Sequence, residues 1–279
     1  MELKVDNLTK VYSSRSGDVT ALTPTSFTVE AGEFICLLGP SGCGKSTLLF
    51  MLAGLEECSG GSIMLDGEPV TGPGRNLGMV FQNYTLFPWL TVKENAAFSQ
   101  RLAGNHRVPP GEVGEAFDRA SRVEYLLELM GLSKFKNSYP RELSGGMKQR
   151  VAIARTLVNK PKVMLMDEPF GALDSQTREE MQELLLLLTK HEKTTVIFVT
   201  HDVDEAVFLG SRVLVFSRRP GRVIADVKVP FPKNADFQVK LEPEFFKLKR
   251  ELLDLLHSQA EAGADRSALL EQLMAQEKS

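Results

Sequence analysis

The stretch "GPSGCGKS", Gly39 to Ser46, fits the pattern G-x-x-x-x-G-K-[ST], in which each residue type has a task at a polyphosphate. The glycines let the backbone wrap close to a β-phosphate, while successive amides and the start of the following helix face its oxygens. Lys45 is expected to bridge the β and γ oxygens, and the Ser46 hydroxyl is a hard ligand for Mg²⁺. The predicted cradle is thus Gly39, Pro40, Ser41, Gly42, Cys43, Gly44, Lys45, Ser46 and Thr47. The competing reading is a plain glycine turn between a strand and a helix. Cys43, close to a helix N-terminus, is expected to carry an unusually reactive thiol.

A phosphate loop needs an acidic partner on a neighbouring strand, and "VMLMDE" (163–168) supplies one. Four apolar residues lead to Asp167, which would hold Mg²⁺ through water, and then to Glu168, placed to orient and polarise an attacking water. An acidic pair at a strand end also serves as a cap or loop feature. His201 closes a further apolar run, "TVIFVTHD" (195–202). A lone histidine is more often structural, but the carboxyl end of a parallel strand is where an open sheet binds ligands, which favours function. The fourth stretch, "LSGGMKQR" (143–150), is a Ser-Gly-Gly turn opening a helix that carries Lys148 and Arg150. Such a turn is either an ordinary N-cap or a helix start presenting its amides and positive dipole end to an anion.

These residues require particular elements to hold them. Residues 3–11 and 25–30 alternate like half-exposed strands, whereas "FICLLG" (34–39) is continuously apolar, the mark of a strand buried on both faces of a parallel sheet. Strand, glycine loop and a helix ending near Gly54 make a βα unit, and "VMLMDEP" and "TVIFVTHD" flank a predicted helix over 175–190. From about Thr91 to Leu157 the period is helical, with Val92–Leu102, Val113–Met130 and Met147–Val158 as candidates. This predicts a helical subdomain inserted into an α/β domain. Phe245, Leu248, Leu252, Leu255 and Leu256 recur at helical spacing near the end, and "DRSALLEQLMAQ" suggests one more short helix. A surface helix packed on its own domain is the main expectation for that tail, against a membrane or regulatory role.

The chain has 279 residues, 43% of them hydrophobic and 25% charged, as in ordinary globular proteins. A formal charge of −3 argues against a nucleic-acid surface. Apolar runs such as Leu184–Leu188 fall far short of the ~18 residues a membrane span requires. The opening "MELKVDNLTK" has no apolar signal core, which places the protein on the cytoplasmic side. Cys36, Cys43 and Cys58 lack metal-type spacing and are expected as free thiols.

Taken together, residues 1 to about 230 resemble the ABC-type ATPases. The resemblance implies a P-loop NTPase fold of class α/β, with a mainly parallel sheet core, an N-terminal antiparallel β part and the inserted helical subdomain. It implies an ATPase domain over 1–235, with the helical insertion at about 91–157, and a C-terminal helical extension over 236–279. By the same resemblance Ser144, Gly145 and Gly146 act in trans, covering the γ-phosphate held by a second copy. Tyr12 corresponds to the aromatic that stacks on adenine, Gln82 to the glutamine that reaches Mg²⁺ and the reaction centre, Asp174 to the dimer-contact loop and His201 to the switch histidine. Met147 departs from the glutamine common at that point, which puts a side-chain contact to nucleotide in doubt.

The segments 69–98 and 200–222 look most like ATPase subunits of nitrate, sulfonate, taurine and related importers. That implies ATP and Mg²⁺ as ligands, and a second copy or a homologous subunit as partner. It also implies two membrane permease subunits and, indirectly, an external substrate-binding protein, with the chain peripheral on the cytoplasmic membrane face. Leu86, Phe87, Pro88 and Trp89 would form the groove for a permease coupling helix, unless Trp89 is a core anchor of the helical subdomain. Two other classes compete: soluble ABC ATPases of translation or DNA repair, and small-molecule P-loop kinases. The first brings paired cassettes, coiled coils or zinc modules and the second lacks an LSGGM loop, neither of which matches this chain.

Overall fold

The computed structural model describes residues 1–15, 17–101, 119–231 and 237–261. Two sheets carry the fold. The first is antiparallel and four-stranded, built from β1 (Glu2–Ser14), β2 (Gly17–Glu30), β4 (Gly60–Leu65) and β5 (Glu68–Pro69) in the order β2-β1-β4-β5. The second has six strands: β3 (Phe34–Leu38), β6 (Leu77–Val80), β7 (Val163–Asp167), β8 (Thr195–Thr200), β9 (Arg212–Phe216) and β10 (Val223–Lys228). Their order is β10-β9-β3-β8-β7-β6, and every pairing is parallel except β9 with β10.

The continuous apolar runs follow from this placement. β3, β7 and β8 are buried at every position because both sheet faces are covered. Ile35 and Leu37 of β3 point into a core shared with α1 (Lys45–Leu52) and with Leu3 and Val5 of the antiparallel sheet, so α1 lies between the two sheets. Phe34, Cys36 and Leu38 point the other way, into a core shared with the remaining helices. Period-two alternation thus splits one hydrophobic strand between two cores.

The helical part contains α2 (Val92–Ala97), α3 (Arg119–Leu129) and α4 (Gly145–Leu157). α2 starts where expected, with Thr91 and Glu94 forming a reciprocal capping box, but it tightens after Ala97 into a 3₁₀ turn over Phe98–Arg101. The expected start of the Val113–Met130 helix and the residue Leu102 lie outside the described residues. α4 begins two residues before the expected Met147, because Ser144 caps it. Between β7 and β8 runs α5 (Ser175–Glu192), and α6 (Val203–Leu209) leads into β9.

In the C-terminal extension, α7 (Pro243–Glu261) buries Phe245, Leu248 and Leu252 in the core that α6 and β9 also enter. The segment "DRSALLEQLMAQ" lies outside the described residues. Strands β4, β6, β9 and β10 were not expected individually, because they are short and, apart from β9, half-exposed. Among the described residues no helix is long and apolar enough to cross a membrane.

Candidate nucleotide site

β3 delivers Gly39–Gly44 to the start of α1. Gly44 caps this helix at φ 104° with no side-chain cap, and a Cβ there would lie 2.7 Å from the Ala21 carbonyl oxygen. Only glycine fits, and the first amides of α1 have no side-chain oxygen bonded to them. Lys45 is buried, its ammonium donating to the carbonyls of Gly39 at 2.7 Å and Pro40 at 2.9 Å. A cation is therefore fixed under its own loop rather than swinging in solvent.

Cys43 departs from expectation. Its side chain is 1% exposed and packs with Phe216, Leu48 and Leu49 in the core between the sheets. Burial raises the thiol above its ordinary pKa, even though Lys45 stands 3.8 Å from the sulfur and acts in the opposite sense. Desolvation of the thiolate outweighs the helix terminus and one cation, which disfavours the reactive thiolate form. Cys36 is buried, Cys58 is exposed, and all three cysteines are free.

The Ser46 hydroxyl donates to Asp167 Oδ1 at 2.8 Å, so two hard oxygen donors from separate elements converge. Asp167 is 6% exposed, and burial raises its carboxyl pKa, with the neighbouring charge of Glu168 adding to the rise. A buried carboxylate beside a second one favours a cation between them. The donor set fits Mg²⁺, which takes few protein oxygens and completes its shell with water and phosphate.

Glu168 follows β7 with φ +40°, a left-handed conformation that costs a non-glycine residue about 1–3 kcal/mol. Its amide donates to Val199 O at 3.1 Å, and its Oε2 accepts from His201 Nδ1 at 3.0 Å. Glu168 and His201, at the tips of adjacent strands, thus form a joined pair beside the loop.

A cavity of about 350 Å³ gathers the loop with residues from distant parts of the chain: Tyr12, Ser41, Lys45, Ser46, Thr47, Gln82 and Glu168 all line it. Lys10 Nζ sits 4.8 Å from the centre of the Tyr12 ring. Arg219 lines the same cavity and was missed in the sequence. The basic "SRRPGR" directly after an apolar strand was its only signal.

Ser144, Gly145, Gly146 and Asp174 do not line this cavity. Ser144 Oγ accepts from Met147 N at 3.3 Å as the cap of α4, and Asp174 Oδ1 accepts from Thr177 N at 3.0 Å as the cap of α5. The amide of Thr177 holds the Asp174 carboxyl below its usual pKa. A Cβ on Gly146 would come within 2.5 Å of Thr177 Cγ2, so the two helix starts are packed against each other. The partly buried Met147 packs against the helical core.

The 86–89 segment divides. Leu86 packs on the core, and Phe87 lines a groove of about 450 Å³ with Phe81, Phe98 and Arg155. Trp89 is 68% exposed, its ring 5.5 Å from that of Phe87. This overturns the reading of Trp89 as a core anchor: the indole rides outside Phe87, which already fills the place against Phe98.

The family model described as ABC transporter matches residues 22–171. The chain belongs to that family. It is 48% identical over 262 residues to the nitrate import ATP-binding protein of Synechocystis, covering 92% of this chain and 95% of that one. With the aliphatic sulfonates import ATP-binding protein of Bacillus cereus it shares 43% identity, over 84% and 89% of the two chains. A solved dimeric bacterial ABC transporter cassette superposes with a TM-score of 0.70 at 34% identity, covering 82% of this chain and all of that one. The same cassette as a dimer in a post-hydrolysis state, bound to ADP and phosphate, gives 0.68. The chain is thus an ATP-binding, ATP-hydrolysing ABC cassette with the α/β fold of its class.

Proposed function

We propose that this cassette is the ATPase subunit of an importer for nitrate, a sulfonate or a related small solute, working as a pair beneath membrane permease subunits. The observation that carries the reading is the pairing of Ser46 with Asp167 and of Glu168 with His201 around the loop, while Ser144–Gly146 stand apart from it. A half-site with a complete phosphate cradle and no signature turn of its own needs a second copy. Two of the relatives, the nitrate and the aliphatic sulfonates import ATP-binding proteins, support the importer reading.

In this reading Tyr12 stacks on adenine, the Gly39–Thr47 loop and Lys45 hold the phosphates, and Ser144, Gly145 and Gly146 cover them from the partner, with Asp174 at the contact. Ser46, Asp167 and Gln82 would hold Mg²⁺, which when bound supplies charge neutralisation at the β and γ oxygens. Glu168 accepts the proton of the attacking water. His201 Nδ1 donates to Glu168, which fixes the carboxylate's direction and leaves Nε2 free to face the reaction centre. Phe87 and Trp89 belong to the surface that meets the permease on the cytoplasmic membrane face, and an external binding protein delivers the solute.

Light-scattering mass with ATP and Mg²⁺ tests the trans arrangement. Glu168→Gln keeps the shape of the side chain but removes the charge, so ATP stays uncleaved and a closed dimer accumulates. Asp167→Asn traps dimer poorly, and adding Ser144→Arg to Glu168→Gln abolishes the trap. A Glu168→Gln protein that stays monomeric at full ATP occupancy overturns the reading. Reconstitution with the permease and a solute panel then distinguishes nitrate from sulfonates.

A further inference from the structure

A buried polar chain joins the C-terminal extension to the strand tip that carries His201. Thr200, the last residue of β8, donates through Oγ1 to Glu205 Oε2 at 2.6 Å and accepts from the amide of Asp202 at 2.9 Å. The second bond spans His201, and the first ties the residue before it to α6. Glu205, in α6, accepts from Gln182 Nε2 at 3.1 Å through its other oxygen. Gln182, in α5, accepts in turn from Lys240 Nζ at 3.3 Å. Thr200, Gln182 and Glu205 are 2%, 2% and 7% exposed, so the chain runs through the interior.

Lys240 belongs to the 3₁₀ turn Phe237–Leu241 that precedes α7. Its ammonium is 4.7 Å from the centre of the Phe208 ring and 4.2 Å from that of Phe237, and these two rings stack at 4.5 Å. Two aromatic faces and a glutamine carbonyl therefore hold a cation toward a buried carboxylate. Burial favours the neutral form of Glu205 and of Lys240 alike; the bonds from Thr200 and Gln182 support the Glu205 charge, while Glu179, Asp204, Asp202 and Glu205 together support that of Lys240. Arg178, whose charge also supports the Glu205 carboxylate, meets Leu173 O and Asp202 as well. A second tie, Lys249 to Asp204 at 2.8 Å, binds α7 to the first turn of α6.

We infer that Lys240 is a positioning residue for the hydrolytic pair: acting through Gln182 and Glu205, it fixes the Thr200–Asp202 turn and thereby the reach of His201 to Glu168. The C-terminal extension is then part of the catalytic apparatus rather than a passive cover. Loss of the ammonium takes away the donor that orients the Gln182 amide toward the Glu205 carboxylate. The carboxylate then turns toward solvent or takes up a proton, and either change alters what Thr200 bonds and where His201 points. This inference rests on the proposed role of His201, and its test reads His201 directly.

The full-length protein has four histidines, so the His201 ring resonance is assigned by comparison with a His201→Gln variant. In Lys240→Met the His201 Cε1–H signal shifts at fixed pH, whereas Lys240→Arg keeps the wild-type position. In the ATPase assay Lys240→Met lowers kcat about tenfold, the scale of a displaced catalytic group, with KM for ATP within twofold. Lys240→Arg restores kcat to within twofold. In a Glu205→Gln background, where the chain no longer ends on a carboxylate, adding Lys240→Met lowers kcat less than twofold further. An unmoved His201 signal in Lys240→Met, an equal shift in Lys240→Arg, or a kcat loss that persists in the Glu205→Gln background overturns the inference. A wild-type protein without ATPase activity would instead count against the proposed function, and the His201 signal would still decide the relay.

Discussion

Two glycine-led helix starts in this molecule are built in opposite ways. At α1 the cap is Gly44, no side chain bonds the first amides, and Lys45, Asp167 and Glu168 stand around them. At α4 the cap is Ser144, whose own oxygen accepts from Met147 N, and no cavity-lining group joins it. Both ends present a positive dipole, yet only the first has a surrounding cation and acids that suit a phosphate and its metal. The difference teaches that a helix N-terminus by itself does not define a binding site. Its neighbours decide whether it serves its own chain or, as proposed for Ser144–Gly146, another.

Removing the neighbour that sets α1 apart should have the largest effect. Lys45→Ala is expected to lower ATP turnover by about 10²–10³-fold, because the phosphate oxygens lose a preorganised cation. Phosphate-release kinetics within threefold of wild type would erase the distinction between the two helix starts. Next in size is Gly44→Ala, which adds left-handed strain of about 1–3 kcal/mol to a 2.7 Å clash with a carbonyl that cannot rotate away. Nucleotide affinity, read by fluorescent-nucleotide titration, should fall about tenfold or more.

The matching change at the second helix is milder. Gly146→Ala meets only the Thr177 methyl at 2.5 Å, so it should cost about 1–2 kcal/mol of stability while leaving ATP binding by the single chain intact. Calorimetric Tm reads the cost, and adding Thr177→Ser, which deletes that methyl, should recover most of it. No recovery would mean that the two helix starts are not packed as described. The smallest effect concerns Cys43. With its thiol pKa raised by burial, alkylation at pH 7 should be slow with or without MgATP, while exposed Cys58 labels quickly. Peptide mass spectrometry that finds Cys43 reacting as fast as Cys58 would restore the reactive-thiol expectation.

The phosphate loop, the acidic pair and the signature turn were legible because their spacing is local: within a few residues, chain geometry alone joins a glycine turn to the helix after it. The buried strands β3, β7 and β8 were legible for a similar reason, since burial on both faces leaves an unbroken apolar run. β4, β6 and β10 carry half-exposed or polar positions and no such run, so they went unread. Arg219 joins the nucleotide cavity only because β9 lies beside β3, and the order of strands in a sheet leaves no mark on either strand.

The amino-acid sequence by itself therefore determined the family and the groups proposed to carry its chemistry, from Gly39–Thr47 to Asp167, Glu168 and His201. Tertiary structure alone decided what each group's surroundings do to it. Cys43 is buried with its thiol pKa raised, Trp89 is exposed, and Lys240 reaches Glu205 through Gln182 across a separation of 58 residues between Lys240 and Gln182. The physical reason is that a residue's type fixes its functional group, whereas burial, dielectric and partners come from segments that meet only when both cores close.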